Sequence, residues 1–164
     1  MEEDVVRCMI EIPKGSRNKY RWDEALGAIR LDRFLFSATI FPADYGFVPE
    51  TIGEDGHPLN VLVLVEAPTF PGCFIEVMPV GVLRMEDADG QDDKLLCVPA
   101  GDPNWDGMRS LDDVPELLRT EIARFFGIYK EPEGTHVEIG GYEDRDVALE
   151  LLGAARERWR TRDQ

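Results

Sequence analysis

Apolar positions in the first two-thirds of the chain recur at strand spacing. Over residues 5–12, Val6, Cys8, Ile10 and Ile12 alternate with Val5, Arg7, Met9 and Glu11, a period of two. Ala28–Phe34 predicts a short strand after a turn at Gly27. Residues 61–65 form an apolar run rich in Val, too short for a helix, and predict a buried strand. Residues 74–85 predict a long strand in which Gly81 permits a bulge or bend, and residues 94–98 another, closed by Pro99, Gly101 and Pro103.

The spacing changes in the last third. Asp113-Val-Pro-Glu116 has the form of a capping box with Pro in the first turn. Leu118, Ile122, Phe125, Phe126 and Tyr129 follow mostly at steps of three and four, which predicts one apolar helical stripe. Pro132 to Gly134 ends that helix, and residues 136–139 predict a short returning strand. A second helix is expected from about Asp144, with Ala148, Leu151, Leu152, Ala155 and Trp159 on one face. Strands followed by helices, with no repeat or linker between halves, predict an α+β fold in one domain over residues 1–164. The expected architecture is a five-stranded OB-like β-barrel with two main helices packed on it.

Composition narrows the function classes. The net charge is −15. Nucleic acids and anionic membranes are therefore poor partners, because binding them needs Lys and Arg to neutralise phosphates. The charge is uneven: residues 1–34 are neutral, residues 35–113 carry −12 and residues 114–164 carry −3. An acidic middle with basic residues mostly outside it favours a cation-binding protein. The acidic start, Met-Glu-Glu-Asp-Val-Val-Arg, has no signal-peptide pattern, and no apolar run is long enough to span a membrane. Cys8, Cys73 and Cys97 are odd in number and far apart, as expected of free thiols in a reducing, cytoplasmic compartment.

Three segments concentrate polar groups. Gly53-Glu-Asp-Gly-His-Pro-Leu-Asn60 precedes a predicted strand, Glu86-Asp87-Ala-Asp89-Gly-Gln-Asp92-Asp93-Lys94 joins two strands, and Tyr129-Lys130 ends the first helix. Each has a plain reading: a solvated turn, a charged hairpin loop, a helix end facing its dipole. The functional reading is that both loops supply oxygen ligands to hard cations such as Mg²⁺, with phosphate completing the shell. The spacing is not that of an EF-hand. Cations for an anionic substrate would come from Lys14, Arg17, Lys19, Arg21, Arg30, Arg33, Lys94 and Lys130. Tyr45, in Phe41-Pro-Ala-Asp-Tyr-Gly-Phe47, either packs or hydrogen-bonds a ligand.

Taken in order, Ile10-Glu-Ile-Pro13, Asn18-Lys-Tyr20, Leu31-Asp-Arg-Phe34, Phe41-Pro-Ala-Asp-Tyr-Gly46, Asp55-Gly-His-Pro-Leu-Asn-Val61, Pro79-Val-Gly-Val82, Asp87 to Lys94 and Phe125-Phe-Gly-Ile-Tyr-Lys130 make the chain resemble a soluble family I inorganic pyrophosphatase of the bacterial type. The resemblance implies hydrolysis of pyrophosphate to two phosphates with several Mg²⁺ ions, usually in a homohexamer. It implies Asp55, Asp87 and Asp92 as metal ligands and Glu11 as a further ligand through water. Lys19, Arg33, Lys94, Tyr129 and Lys130 would bind phosphoryl oxygens, and Tyr45 would lie near the attacking water.

The chain departs from the family pattern in its central motif. The family reads Asp-Gly-Asp-Pro-x-Asp where this chain reads Asp55-Gly-His57-Pro-Leu-Asn60. His57 replaces the base facing the nucleophilic water, Asn60 replaces a ligand of the catalytic metals, and Arg21 replaces a Glu after the Lys-Tyr pair. Two fewer carboxylates lower metal affinity, since a charge pair at about 4 Å is worth on the order of 4 kcal/mol at an effective dielectric near 20. Asn60 can still coordinate through its amide oxygen. Neutral His57 can accept a proton or ligate Mn²⁺ or Zn²⁺ in place of Mg²⁺. The expectation is a pyrophosphatase of reduced or altered activity. The alternatives are a binding module for phosphate or pyrophosphate, and a hydrolase of another phosphoanhydride to which Arg21 adapts the site.

Overall fold

The computed structural model describes residues 4–35 and 38–164, so the first three residues of the acidic start lie outside it. Its elements run β1 (Val6–Ile12), β2 (Asn18–Asp23), β3 (Ala28–Phe34), β4 (Asp44–Phe47), β5 (Asn60–Val63), β6 (Phe74–Asp87), β7 (Gly90–Gln91), β8 (Lys94–Pro99), α1 (Glu116–Ile128), β9 (Glu138–Asp144) and α2 (Arg145–Arg160). Ladders join β1 to β4, β4 to β5, β5 to β8, β8 to β6 and β6 back to β1, so five strands form a ring. This is the expected α+β, OB-like arrangement. The length of β6 lets it serve several partners. Its first part pairs with β1, and its last part pairs with β9. The register shift between Pro79 and Gly81 is the irregularity expected at Gly81.

The apolar run at residues 61–65 is explained by burial on both faces. Val61 and Val63 pack with Leu95, Cys97 and the α2 residues Ala148, Leu152 and Ala155. Leu62 and Leu64 pack with Leu96, Val98 and the α1 residues Ile122, Phe125 and Phe126. A strand covered on both sides needs no polar alternation. Cys8, Cys73 and Cys97 are free, and burial pushes the Cys8 thiol up to about 12.

Several elements differ from the sequence reading. β2 carries too many polar residues to show strand periodicity, and β4 is too short, at four residues. β2 is half-exposed and pairs only with β3, as a separate two-stranded hairpin. β4 is held by backbone contact. A Cβ on Gly46 would lie 1.9 Å from the Met9 carbonyl oxygen, so only glycine lets β4 approach β1 this closely. The capping box sits one turn earlier than expected. Ser110 and Asp113 cap a short 3₁₀ turn, Leu111–Asp113, and α1 starts after Pro115 without a side-chain cap. The returning strand expected at residues 136–139 is β9, later and longer, because its edge residues alternate poorly around Gly140 and Gly141. α2 begins after Asp144 as expected, and the Asp144 side chain caps it, accepting from Arg145 N.

Candidate active site

A cleft of about 740 Å³ opens where the hairpin, the loop before β5, the β6–β8 connection and the end of α1 meet. Each wall is fixed by local bonds. Glu11, at the end of β1, accepts from Trp22 N at 2.9 Å and so anchors the hairpin carrying Lys19 and Arg21. In the loop before β5, Thr51 donates to Val48 O at 2.6 Å and accepts from Leu59 N at 3.0 Å. The same loop is tied to α2, where Ile52 N donates to Ala155 O at 3.0 Å and Arg158 donates to Ile52 O at 3.1 Å. Asp55 then accepts from His57 N at 3.0 Å, a side-chain turn that shapes the loop tip. After β6, Asp93 turns inward, accepting from Met85 N and pairing with Arg84, while Asp92 lines the cleft.

The cleft alternates cations and carboxylates. Lys94 lies 2.9 Å from Asp92 Oδ1, 2.9 Å from Tyr45 Oη and 3.0 Å from Asn60 Oδ1, with only 1 % of its side chain exposed. Lys130 lies 3.4 Å from Asp87 Oδ2. Burial raises Glu11, against the opposing pull of the Trp22 amide, Arg21 and Lys19. Burial, followed by the charges of Arg33 and Lys130, lowers Lys19 to about 8. Asp55 is raised by burial, with the nearby Asp92 adding to the shift. Burial pushes the Tyr129 phenol up as well. Tyr45 is driven well above its ordinary value by burial and then by Asp92, Glu11, Asp55 and Asp87.

Of the residues singled out in the sequence, Glu11, Lys19, Arg21, Tyr45, Asp55, His57, Asn60, Asp87, Asp92, Lys94, Tyr129 and Lys130 all line this cleft. Arg30 lines it too, whereas Lys14, Arg17 and Arg33 do not. Arg33 pairs with Glu133 and, at 3.3 Å, with Asp32, and it faces Lys19 across the β2–β3 ladder. Asp89, Trp22 and Trp159 line the cleft without having been assigned to it. Asp89 belongs to the acidic segment already noted. Trp159 has the helical spacing of a core residue but is only half-buried, with the Arg162 guanidinium 3.7 Å above its ring. No signal in the strand pattern marks Trp22.

Among the described residues, no three His, Cys, Asp or Glu side chains stand together as a ready-made metal cluster. The chemistry of the donors nevertheless fits a hard divalent cation. Four carboxylates, Glu11, Asp55, Asp87 and Asp92, line this one cleft, and all are oxygen ligands of the kind Mg²⁺ takes. Asp87 and Asp92 face the site beside lysines, so charge is nearly balanced there. Among the described residues no helix is long and apolar enough to cross a membrane.

Comparison with known proteins places the chain. A family model described as inorganic pyrophosphatase matches residues 8–160. The chain is 55% identical over 149 residues to the inorganic pyrophosphatase of Streptomyces coelicolor, covering 90% of each chain. It is 49% identical over 158 residues to that of Methanosarcina acetivorans, covering 96% of this chain and 94% of the relative. The crystal structure of the inorganic pyrophosphatase from Thermus thermophilus superposes with a TM-score of 0.93 at 45% identity, over 96% of this chain and 92% of that one. With a family model matched over nearly its whole length and relatives alike in sequence and fold, the chain belongs to the inorganic pyrophosphatase family.

Proposed function

We propose that the protein is an inorganic pyrophosphatase, hydrolysing diphosphate to two phosphates with divalent metal ions. The observation that carries this reading is the single cleft in which Asp55, Asp87, Asp92 and Glu11 meet Lys19, Lys130 and Tyr129. Family membership supports the same reaction. Water attacks one phosphorus, the bridging P–O bond breaks, and the leaving phosphate takes the bridging oxygen. Divalent cations, when bound, lower the pKa of the attacking water and neutralise charge on the phosphoryl oxygens.

Asp55, Asp87 and Asp92 hold the metals, with Glu11 reaching a further one through water. Lys19, Lys130 and the Tyr129 hydroxyl orient the phosphoryl groups. Arg33, held by Glu133, acts through its charge on Lys19. The exposed ring of His57 accepts the proton of the attacking water, and Tyr45 steadies that water. With His57 and Asn60 in place of two carboxylates, two fewer charged oxygens face the metals, so activity is reduced with Mg²⁺ and helped by Mn²⁺ or Zn²⁺, which tolerate an imidazole nitrogen beside them. The family resemblance also supports a homohexamer in the cytoplasm.

Phosphate release from pyrophosphate, measured with each of the three metals, tests this reading. Metal-dependent release supports it. Folded protein that binds pyrophosphate without turnover points to a binding module instead.

A further inference from the structure

Among the described residues lining the cleft, Asn60 carries the only side-chain amide, and its surroundings fix which way that amide points. Its Oδ1 lies 3.0 Å from Lys94 Nζ, and its Nδ2 lies 3.2 Å from Gly46 O. An ammonium only donates and a backbone carbonyl only accepts. The flipped amide would oppose donor to donor and acceptor to acceptor. In the ladders Asn60 stands opposite Phe47 of β4 on one side and Lys94 of β8 on the other. Its side chain therefore repeats, at the cleft floor, the cross-link that the backbone makes between both neighbours of β5. An aspartate there would keep the bond to Lys94 but would set a carboxylate oxygen against the Gly46 carbonyl.

Lys94 completes the arrangement. Its three N–H groups have three acceptors, Asn60, Asp92 and Tyr45, and the side chain is buried. Because Lys94 donates to the Tyr45 oxygen, the phenol's own proton points away from the ammonium. A divalent cation on Asn60 Oδ1 would place a second positive charge on an uncharged oxygen already bound to Lys94.

We infer that Asn60 is a positioning residue and not a metal ligand: through Lys94 it holds the Tyr45 hydroxyl as a hydrogen-bond donor into the cleft. The geometry belongs to the chain itself, while the consequence for turnover rests on the pyrophosphatase reading.

The test combines calorimetry and kinetics on Asn60→Ala, Tyr45→Phe and the double variant, with Asn60→Ser replacing Asn60→Ala if the latter does not fold. Mn²⁺ titrated into wild type and Asn60→Ala without substrate should give dissociation constants within about twofold, whereas loss of a ligand or its orienting partner costs about 10–100-fold, and a weakening of that size overturns the inference. In pyrophosphate turnover, Asn60→Ala should lower kcat about tenfold with KM unchanged. That loss should disappear in the Tyr45→Phe background, since residues acting in one chain are not additive. Independent, additive losses overturn the inference. A wild type without turnover defeats the pyrophosphatase reading alone, and the metal titration still decides whether Asn60 is a ligand.

Discussion

Burial and two cationic neighbours bring Lys19 to about 8, close to neutral pH. The free enzyme should lose this charge as pH rises through that value. kcat/KM for pyrophosphate should fall with it, because this ratio reports groups of the free enzyme. Lys19→Arg keeps its charge and should move the alkaline limb upward by about one pH unit or more; an unmoved limb assigns it to another group. The stability effect has the opposite sign to that of a salt-bridged lysine. Below about 8 the proton is bound in both folded and unfolded chains, so the cost of holding the charge is complete. Between about 8 and the ordinary 10.5 the unfolded chain binds more protons, so this group's contribution to stability rises with pH. Urea midpoints at both ends of that window should show the increment in wild type and lose it in Lys19→Met. His57 tests one of the altered positions. If the imidazole substitutes imperfectly for a carboxylate base, His57→Asp should raise Mg²⁺-dependent turnover about tenfold or more, within the range general bases supply. Unchanged or lower turnover would mean that the loop is adapted to histidine.

At the scale of elements, β4 and α1 hold the two tyrosines in place. Gly46→Ala would force a Cβ to 1.9 Å from Met9 O. It should therefore cost about 3 kcal/mol or more, read as a lowered urea midpoint, and should disturb the β4 segment that carries Tyr45. Phe126 is fully buried between Tyr45 and Tyr129, with ring centroids 5.9 and 5.2 Å away. Phe126→Ala should cost about 3–5 kcal/mol and lower turnover together with stability. These elements also show what a sequence reveals. β5 and β8 were legible because burial on both faces leaves an unbroken apolar run, and α2 because Asp144 and its apolar face agree. β4 was not, since its strand character comes from a close approach that only Gly46 permits. The capping box was displaced because Ser110 and Asp113 compete with Asp113 and Glu116 for the same local pattern. In the site, the ordered motifs located the cleft, whereas no local spacing could show that Arg33 turns to Glu133 or that Lys94 is fully bonded.

Across the whole molecule, the net charge of −15 opposes compaction. Added NaCl should raise the melting temperature as screening shortens to a Debye length of about 10 Å at 0.1 M, and a falling melting temperature would deny that repulsion matters. Mg²⁺ should stabilise further by binding only the folded chain, by about 2.7 kcal/mol at a hundredfold excess over its dissociation constant, and EDTA should remove that gain. The uneven charge acquires a meaning at this scale. The neutral N-terminal stretch supplies Lys19 and Arg21 to the cleft, and the acidic middle supplies Asp55, Asp87 and Asp92. Other acidic residues are occupied elsewhere, as Asp93 is with Arg84 and Asp113 with the Ser110 turn. The central claim is that this cleft hydrolyses pyrophosphate, and release of inorganic phosphate with Mg²⁺, Mn²⁺ or Zn²⁺ measures it most directly. The account predicts release that depends on the added metal, stops with EDTA and is weaker with Mg²⁺ than in His57→Asp. Folded protein that releases no phosphate above background with any of the three metals would contradict it.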